Sequence, residues 1–238
     1  MINDILLILI ATGTSTLTAI TGVGGGMLLI AVIPGFLPAA AIVPVHGAVQ
    51  LFSNSSRALF GWRFARLELI FGFIGGACLG GMLAAGITRY INLDYSPLFI
   101  AAYILYKLWG PPLKLDIPAA GEFVVIGAAQ TGLSMIVGAT GPLGQAALLQ
   151  RGLRRDAQVV TAAVMMSFTH LIKIILFAIL GFSFVTYWKI IAGMSLGVIA
   201  GAWLGTYIRY RIPEALFKNF LRWLLTLLAL RMIYITFA

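Results

Sequence analysis

Long apolar stretches alternate with short polar loops along the whole chain. Apolar runs lie near 5–33, 68–88, 97–110, 157–180, 189–208 and 220–238. They approach or exceed the ~20 residues that a helix needs to cross a bilayer. A further helix, polar along one stripe, is predicted over about 40–60. Two stretches are interrupted, by Thr21-Gly22-Val23-Gly24-Gly25-Gly26 and by Thr140-Gly141-Pro142-Leu143-Gly144. Glycine and proline are the poorest helix formers, so both places are predicted to unwind. Broken helices persist in bilayers only where protein or a water-filled cavity satisfies the freed backbone groups. A pair of breaks at corresponding positions of two halves points to a transporter's binding site.

The predicted fold is an all-α polytopic membrane protein made of two inverted repeats in one integral membrane domain. Residues 1–116 form the first repeat, with its break at 21–26, and residues 117–238 the second, with its break at 140–144. Each repeat holds a Gly-broken hairpin or half-helix pair followed by three transmembrane helices: one polar-striped, one Gly-rich and one closing. Gly72, Gly76 and Gly80 correspond to Gly193, Gly197 and Gly201 at one offset, with Gly205 extending the second row. Ser53-Asn54 with Arg57 corresponds to Thr169-His170 with Lys173. Glycine at every fourth residue makes a smooth face for close helix approach. Such a face offers a homodimer contact as readily as an internal one.

Composition excludes a soluble domain: 61% of residues are hydrophobic and 10% charged, against about 25% charged in soluble proteins. The start, Met1-Ile2-Asn3-Asp4, lacks a basic leader, so the first run is expected to stay in the mature protein. The net charge of +9 comes from basic residues in short loops. That pattern signals topology and lipid headgroup contact rather than nucleic acid. The single cysteine, Cys78, allows no internal disulfide and is expected to be a small buried packing residue.

If each broken stretch crosses once, the basic residues divide 8 against 8 between the two faces. If each returns to its starting side, the groups at 57–66, 107–114, 151–155 and 209–222 share one face, 12 against 4. The positive-inside rule favours the second arrangement, with both termini non-cytoplasmic and the halves inverted. Length agrees, because residues 5–33 as one helix would measure about 43 Å against a ~30 Å hydrocarbon core. Re-entrant hairpins and pairs of short crossings both satisfy this count.

Polar groups inside the membrane are functional candidates. His46, Gln50, Asn54 and Arg57 recur at spacings of four, four and three, so they line one helix face. Thr169, His170 and Lys173 are the sparser counterpart. All seven acidic residues lie at segment ends or in loops, leaving a donor-rich interior that suits an anion. Helix N-termini after the breaks add backbone N–H groups from Gly22, Gly24, Gly25, Gly26, Gly141 and Gly144. Thr21, Thr140 and Gln145 stand beside them. The expected site is a small anion near midplane between the two breaks. No catalytic residue, metal site or cofactor is expected, because HExxH, Cys/His metal spacing, an embedded carboxylate pair and a P-loop are all missing.

Thr21-Gly22-Val23-Gly24-Gly25-Gly26, the Met27-Leu28-Leu29-Ile30 that follows, a Pro-containing turn, a polar helix, a Gly-rich helix and a degenerate second copy resemble the TauE/SafE sulfite exporter family, also called the toluene sulfonate uptake permease family. The resemblance covers essentially the whole chain. It implies a secondary transporter in a bacterial or archaeal inner membrane that moves sulfite, thiosulfate, sulfoacetate, taurine-related or other organosulfonate anions by alternating access. Substrate, direction and coupling ion stay open at this point. In the second break Pro142 and Leu143 stand where the first has glycines, so the half-sites are not chemically equivalent. The cysteine motifs of a separate thiosulfate-uptake family are missing. A passive small-anion channel and a non-transporting scaffold subunit are the alternative readings.

Overall fold

The chain doubles back on itself twice, and both reversals follow a glycine with positive φ. The computed structural model describes residues 2–22, 24–111, 121–208 and 215–237. Among these are ten α-helices and no strand: α1 (Ile2–Thr21), α2 (Gly25–Val32), α3 (Ala39–Phe60), α4 (Leu67–Thr88), α5 (Ser96–Trp109), α6 (Glu122–Val137), α7 (Gly141–Gln150), α8 (Arg155–Ile179), α9 (Trp188–Ile208) and α10 (Ala215–Phe237). Four segments among the described residues are long and apolar enough to cross a membrane: α1, α4, α8 and α9 with the 3₁₀ turn before it. At 22 residues α3 has the length, but its polar stripe lowers its hydropathy. With 14 residues, α5 measures about 21 Å. The expected repeat boundary at 116/117 lies outside the described residues.

Gly22 (φ +83°) ends α1 and Gly138 (φ +77°) ends α6, where a side chain would be strained. The second interruption therefore falls at 138–140, and Gly141 to Gly144 form the first turn of α7 rather than the break itself. After each turn the chain runs back along the helix it has left. A Cβ on Gly25 would overlap the Thr14 carbonyl oxygen, seven residues before the end of α1. In the second half the Thr140 hydroxyl donates to the Gln130 carbonyl at 2.8 Å, again seven residues before the helix end. Arg151, just after α7, forms an ion pair with Glu122 at the start of α6. The α6–α7 stretch thus closes where it began.

The glycine rows are internal packing faces. A Cβ on Gly76 or Gly80 would overlap the Val124 or Ala128 carbonyl of α6. One on Gly197, Gly201 or Gly205 would crowd the Ile8, Thr12 or Thr16 carbonyl of α1. Hence α1 lies along α9 and α6 along α4, each half's first helix on the other half's glycine helix. Lipid adds little drive to helix association, so this backbone proximity is the main attraction. Residue numbers rise together along both pairs, so the partners run in parallel. Across the bundle α3 packs on α8, and Trp109 ties α5 to α10 through Thr226 (3.0 Å) and the Arg222 guanidinium (3.7 Å from the ring centre). Large apolar side chains such as Leu79, Leu83, Trp203 and Leu227 face outward, as a lipid-facing surface requires. Cys78 is also exposed, contrary to the expectation of a buried residue. Gly76, Ala77 and Gly80 occupy the packing face of α4 and leave Cys78 on the outer one.

Candidate functional site

Where the first reversal meets α3 and α8, a cavity of about 50 Å³ forms, far smaller than the ~300–1,000 Å³ of drug-sized ligand pockets. The α3 stripe supplies one wall: His46, Gln50, Asn54 and Arg57 all line it, and all are buried. They brace one another. Asn54 Nδ2 donates to the Gln50 carbonyl at 2.7 Å, and its Oδ1 accepts from Arg57 Nη2 at 2.5 Å. His46 Nε2 stands 2.9 Å from the Gly26 carbonyl, which fixes the ring against α2. Gly26 also leaves room for Gln50, whose Nε2 would lie 3.4 Å from any Cβ there.

The reversals contribute Gly22, Gly24 and Gly26 from the first half and Gly141 and Gln145 from the second. From α8 comes His170, its ring edge-on to His46 with centroids 5.9 Å apart. Three buried polar atoms on these lining residues have no partner: His46 Nδ1, His170 Nδ1 and Gln145 Oε1. Orphaned buried polar atoms are uncommon and ask for an explanation. Among the described residues, no acidic side chain lines the cavity. Nor do three His, Cys, Asp or Glu side chains come together as metal ligands among the described residues.

The remaining sequence-predicted residues lie around the cavity without lining it. The Thr21 hydroxyl donates to the Leu17 carbonyl at 2.8 Å. Gly25 is pressed against α1. Thr140 and Gly144 both bond Gln130, the latter through its N–H to Oε1 at 2.7 Å. Thr169 pairs with Thr131 at 3.1 Å, just as Ser53 pairs with Ser15 at 2.9 Å. Lys173 is fully buried, and its Nζ donates to Gly138 O (3.0 Å) and Ser134 Oγ (3.2 Å).

Sequence reasoning missed the apolar wall. Val159, Ala162, Ala163 and Met166 of α8 face the cavity, with Met27, Ala139 and Pro142 completing it. Stepping back from His170 at helical spacing reaches all four α8 positions, but apolar residues in an apolar helix carry no signal of their own. Thr18 was also missed.

An all-helical bundle with lipid-facing apolar sides and a buried cationic cavity between two helix reversals defines a multi-pass membrane transporter. A family model described as sulfite exporter TauE/SafE matches residues 6–232, and the chain belongs to that family. Its members are transporters of sulfur-containing anions, not enzymes. Neither a search of curated proteins nor a search of solved structures gives a match.

Proposed function

We propose that the protein is a secondary carrier that moves a small sulfur-containing anion by alternating access, with the anion held between the α1–α2 and α6–α7 reversals. The observation that carries this reading is Arg57. A guanidinium buried in the wall of a cavity that no carboxylate among the described residues lines calls for an anionic partner, because an unpaired charge in a membrane interior is costly. The first turn of α2 adds backbone N–H groups and a positive helix end. The amides of Gln50 and Gln145 and the imidazoles of His46 and His170 complete the donor set. Thr21, Thr140, Gly144, Thr169 and Lys173 act as the supporting shell that holds the reversals in place.

The two halves are read as inverted repeats. The ion pair of Glu122 with Arg151 supports a hairpin that returns to its own side, and the fold-back of Gly25 onto Thr14 supports the same for the first half. The loop at 61–66 packs on α8, where the Arg66 N–H donates to Thr161 Oγ1 at 3.0 Å. Arg63, Arg66 and Arg154 line one surface cleft there. Such clustering supports reading this face as cytoplasmic, with both termini on the other. With both glycine rows engaged internally, a homodimer would need a different surface.

The test is counterflow in proteoliposomes. Labelled sulfite, thiosulfate and sulfoacetate should exchange through the purified protein, and Arg57→Gln should abolish most of that exchange. Saturable exchange of carboxylates but of none of the sulfur anions would overturn the assignment, and current without counterflow would point to a channel.

A further inference from the structure

Two buried cations stand at equivalent places in the two halves, and the structure treats them differently. Arg57 follows Ser53 by four residues on α3, and Lys173 follows Thr169 by four on α8. Ser53 pairs with Ser15 of α1, and Thr169 pairs with Thr131 of α6. Counting along the same helices, Thr18 and Gly22 of the first half correspond to Ser134 and Gly138 of the second. Lys173 is seated on its half's reversal, through Ser134 Oγ and Gly138 O. Arg57 is not: its hydrogen bonds go to Ser53 O (3.4 Å) and Asn54 Oδ1, both on its own helix. Thr18 and Gly22 line the cavity instead, together with Arg57. The cavity therefore occupies the place that a lysine fills in the other half.

A second difference agrees. Gly47 of α3 leaves space for the lysine stem, since a Cβ there would stand 2.6 Å from Lys173 Cε. The corresponding residue on α8 is Ala163, whose side faces the cavity. The cavity reaches from mid-bundle, at His46 and His170, toward the end formed by the last turns of α1 and α3 and the first turns of α8. That end carries the basic loops.

We propose that Arg57 and Lys173 are alternating counter-charges for the transported anion. In the conformation open to the opposite face, Arg57 turns onto Thr18 and the Gly22 carbonyl. Lys173 leaves Ser134 and Gly138, and the anion then lies against it. The proposal rests on the carrier reading above. Its physical basis is that a cation buried in a bilayer needs either an anion or good acceptors. Ser134 and Gly138 provide acceptors when the anion is at the other half, and Thr18 and Gly22 do so in turn. Inverted halves reach the second conformation by exchanging their local arrangements around one fixed site.

The experiment measures half-saturating [³⁵S]sulfite separately at the two faces, in right-side-out and inside-out membrane vesicles. Losing a hydrogen-bonded charge lowers affinity by roughly ten- to a hundredfold. Arg57→Gln should therefore raise half-saturation about tenfold or more at the basic-loop face and far less at the other. Lys173→Gln should give the mirror pattern, and Lys173→Arg should restore the opposite face. Ser134→Ala removes one acceptor of Lys173 and should lower half-saturation at the opposite face while leaving every charge in place, which keeps the test decisive if Lys173→Gln fails to fold. Equal shifts at both faces, or a Lys173 effect confined to the amount of active protein, would overturn the alternation. A complete lack of sulfite, thiosulfate and sulfoacetate exchange by the unaltered protein is a separate outcome that overturns the carrier reading itself.

Discussion

Gly22 and Gly138 end their helices in the same way, with φ of +83° and +77°, each at the start of a chain reversal. Both accept a positive φ that costs other residues about 1–2 kcal/mol. Their surroundings differ. A Cβ on Gly22 would touch Val159 at 3.0 Å, whereas one on Gly138 would collide with the Ile30 side chain. Gly22→Ala should lower stability by about 1–2 kcal/mol, and Gly138→Ala by more. Thermal unfolding in detergent checks the order, and equal losses would contradict it.

The glycine rows make a sharper contrast. Gly80 and Gly201 lie against backbone carbonyls, while Gly75 has open space around its Cα. Overpacking a tight face costs about 1–3 kcal/mol, and removing a free helical glycine gains up to about 1 kcal/mol. Gly80→Ala and Gly201→Ala should thus destabilise, and Gly75→Ala should be neutral or stabilising. The same unfolding assay reads all three.

The return of the α6–α7 stretch to its own side can be tested covalently. With Cys78 replaced by alanine, Glu122→Cys and Arg151→Cys should cross-link in membranes and react with an impermeant thiol reagent from one face only. Labelling of the two from opposite faces would refute the hairpin. Losing the pair itself should cost no more than about 1 kcal/mol, since Arg151 is partly exposed.

Within the cavity, Arg57 and His170 should matter unequally. Arg57→Gln removes a charge and should weaken sulfite binding roughly ten- to a hundredfold. His170→Ala removes a ring with an unpartnered nitrogen and should weaken it less, by about threefold to tenfold. Equilibrium binding in detergent measures both. Unchanged affinity in both variants would remove these residues from the site.

Much of this architecture is legible in the sequence because periodic spacing survives folding. His46, Gln50, Asn54 and Arg57 announce one face of α3, and the glycines at every fourth residue announce the faces that carry α1 and α6. The position of the second reversal was less visible. Thr140-Gly141-Pro142 looks like the break, yet the turn is made at Gly138, because positive φ leaves no mark in a run of small and apolar residues. The site was half legible for a similar reason. Its polar wall stands out against an apolar helix, whereas Val159, Ala162, Ala163 and Met166 form a wall indistinguishable from lipid-facing positions. Lys173 was readable as a buried charge, but its attachment to Ser134 and Gly138 depends on packing between α6 and α8.

The crosswise pairing of α1 with α9 has a consequence for biosynthesis. Helix α1 meets its main partner only after nearly 190 further residues have been made, since Thr16 rests on Gly205. Contacts so distant in sequence form slowly. Until α9 has been made, α1 must wait in the bilayer with its threonine-lined side open, so its docking follows the insertion of seven later helices rather than preceding it.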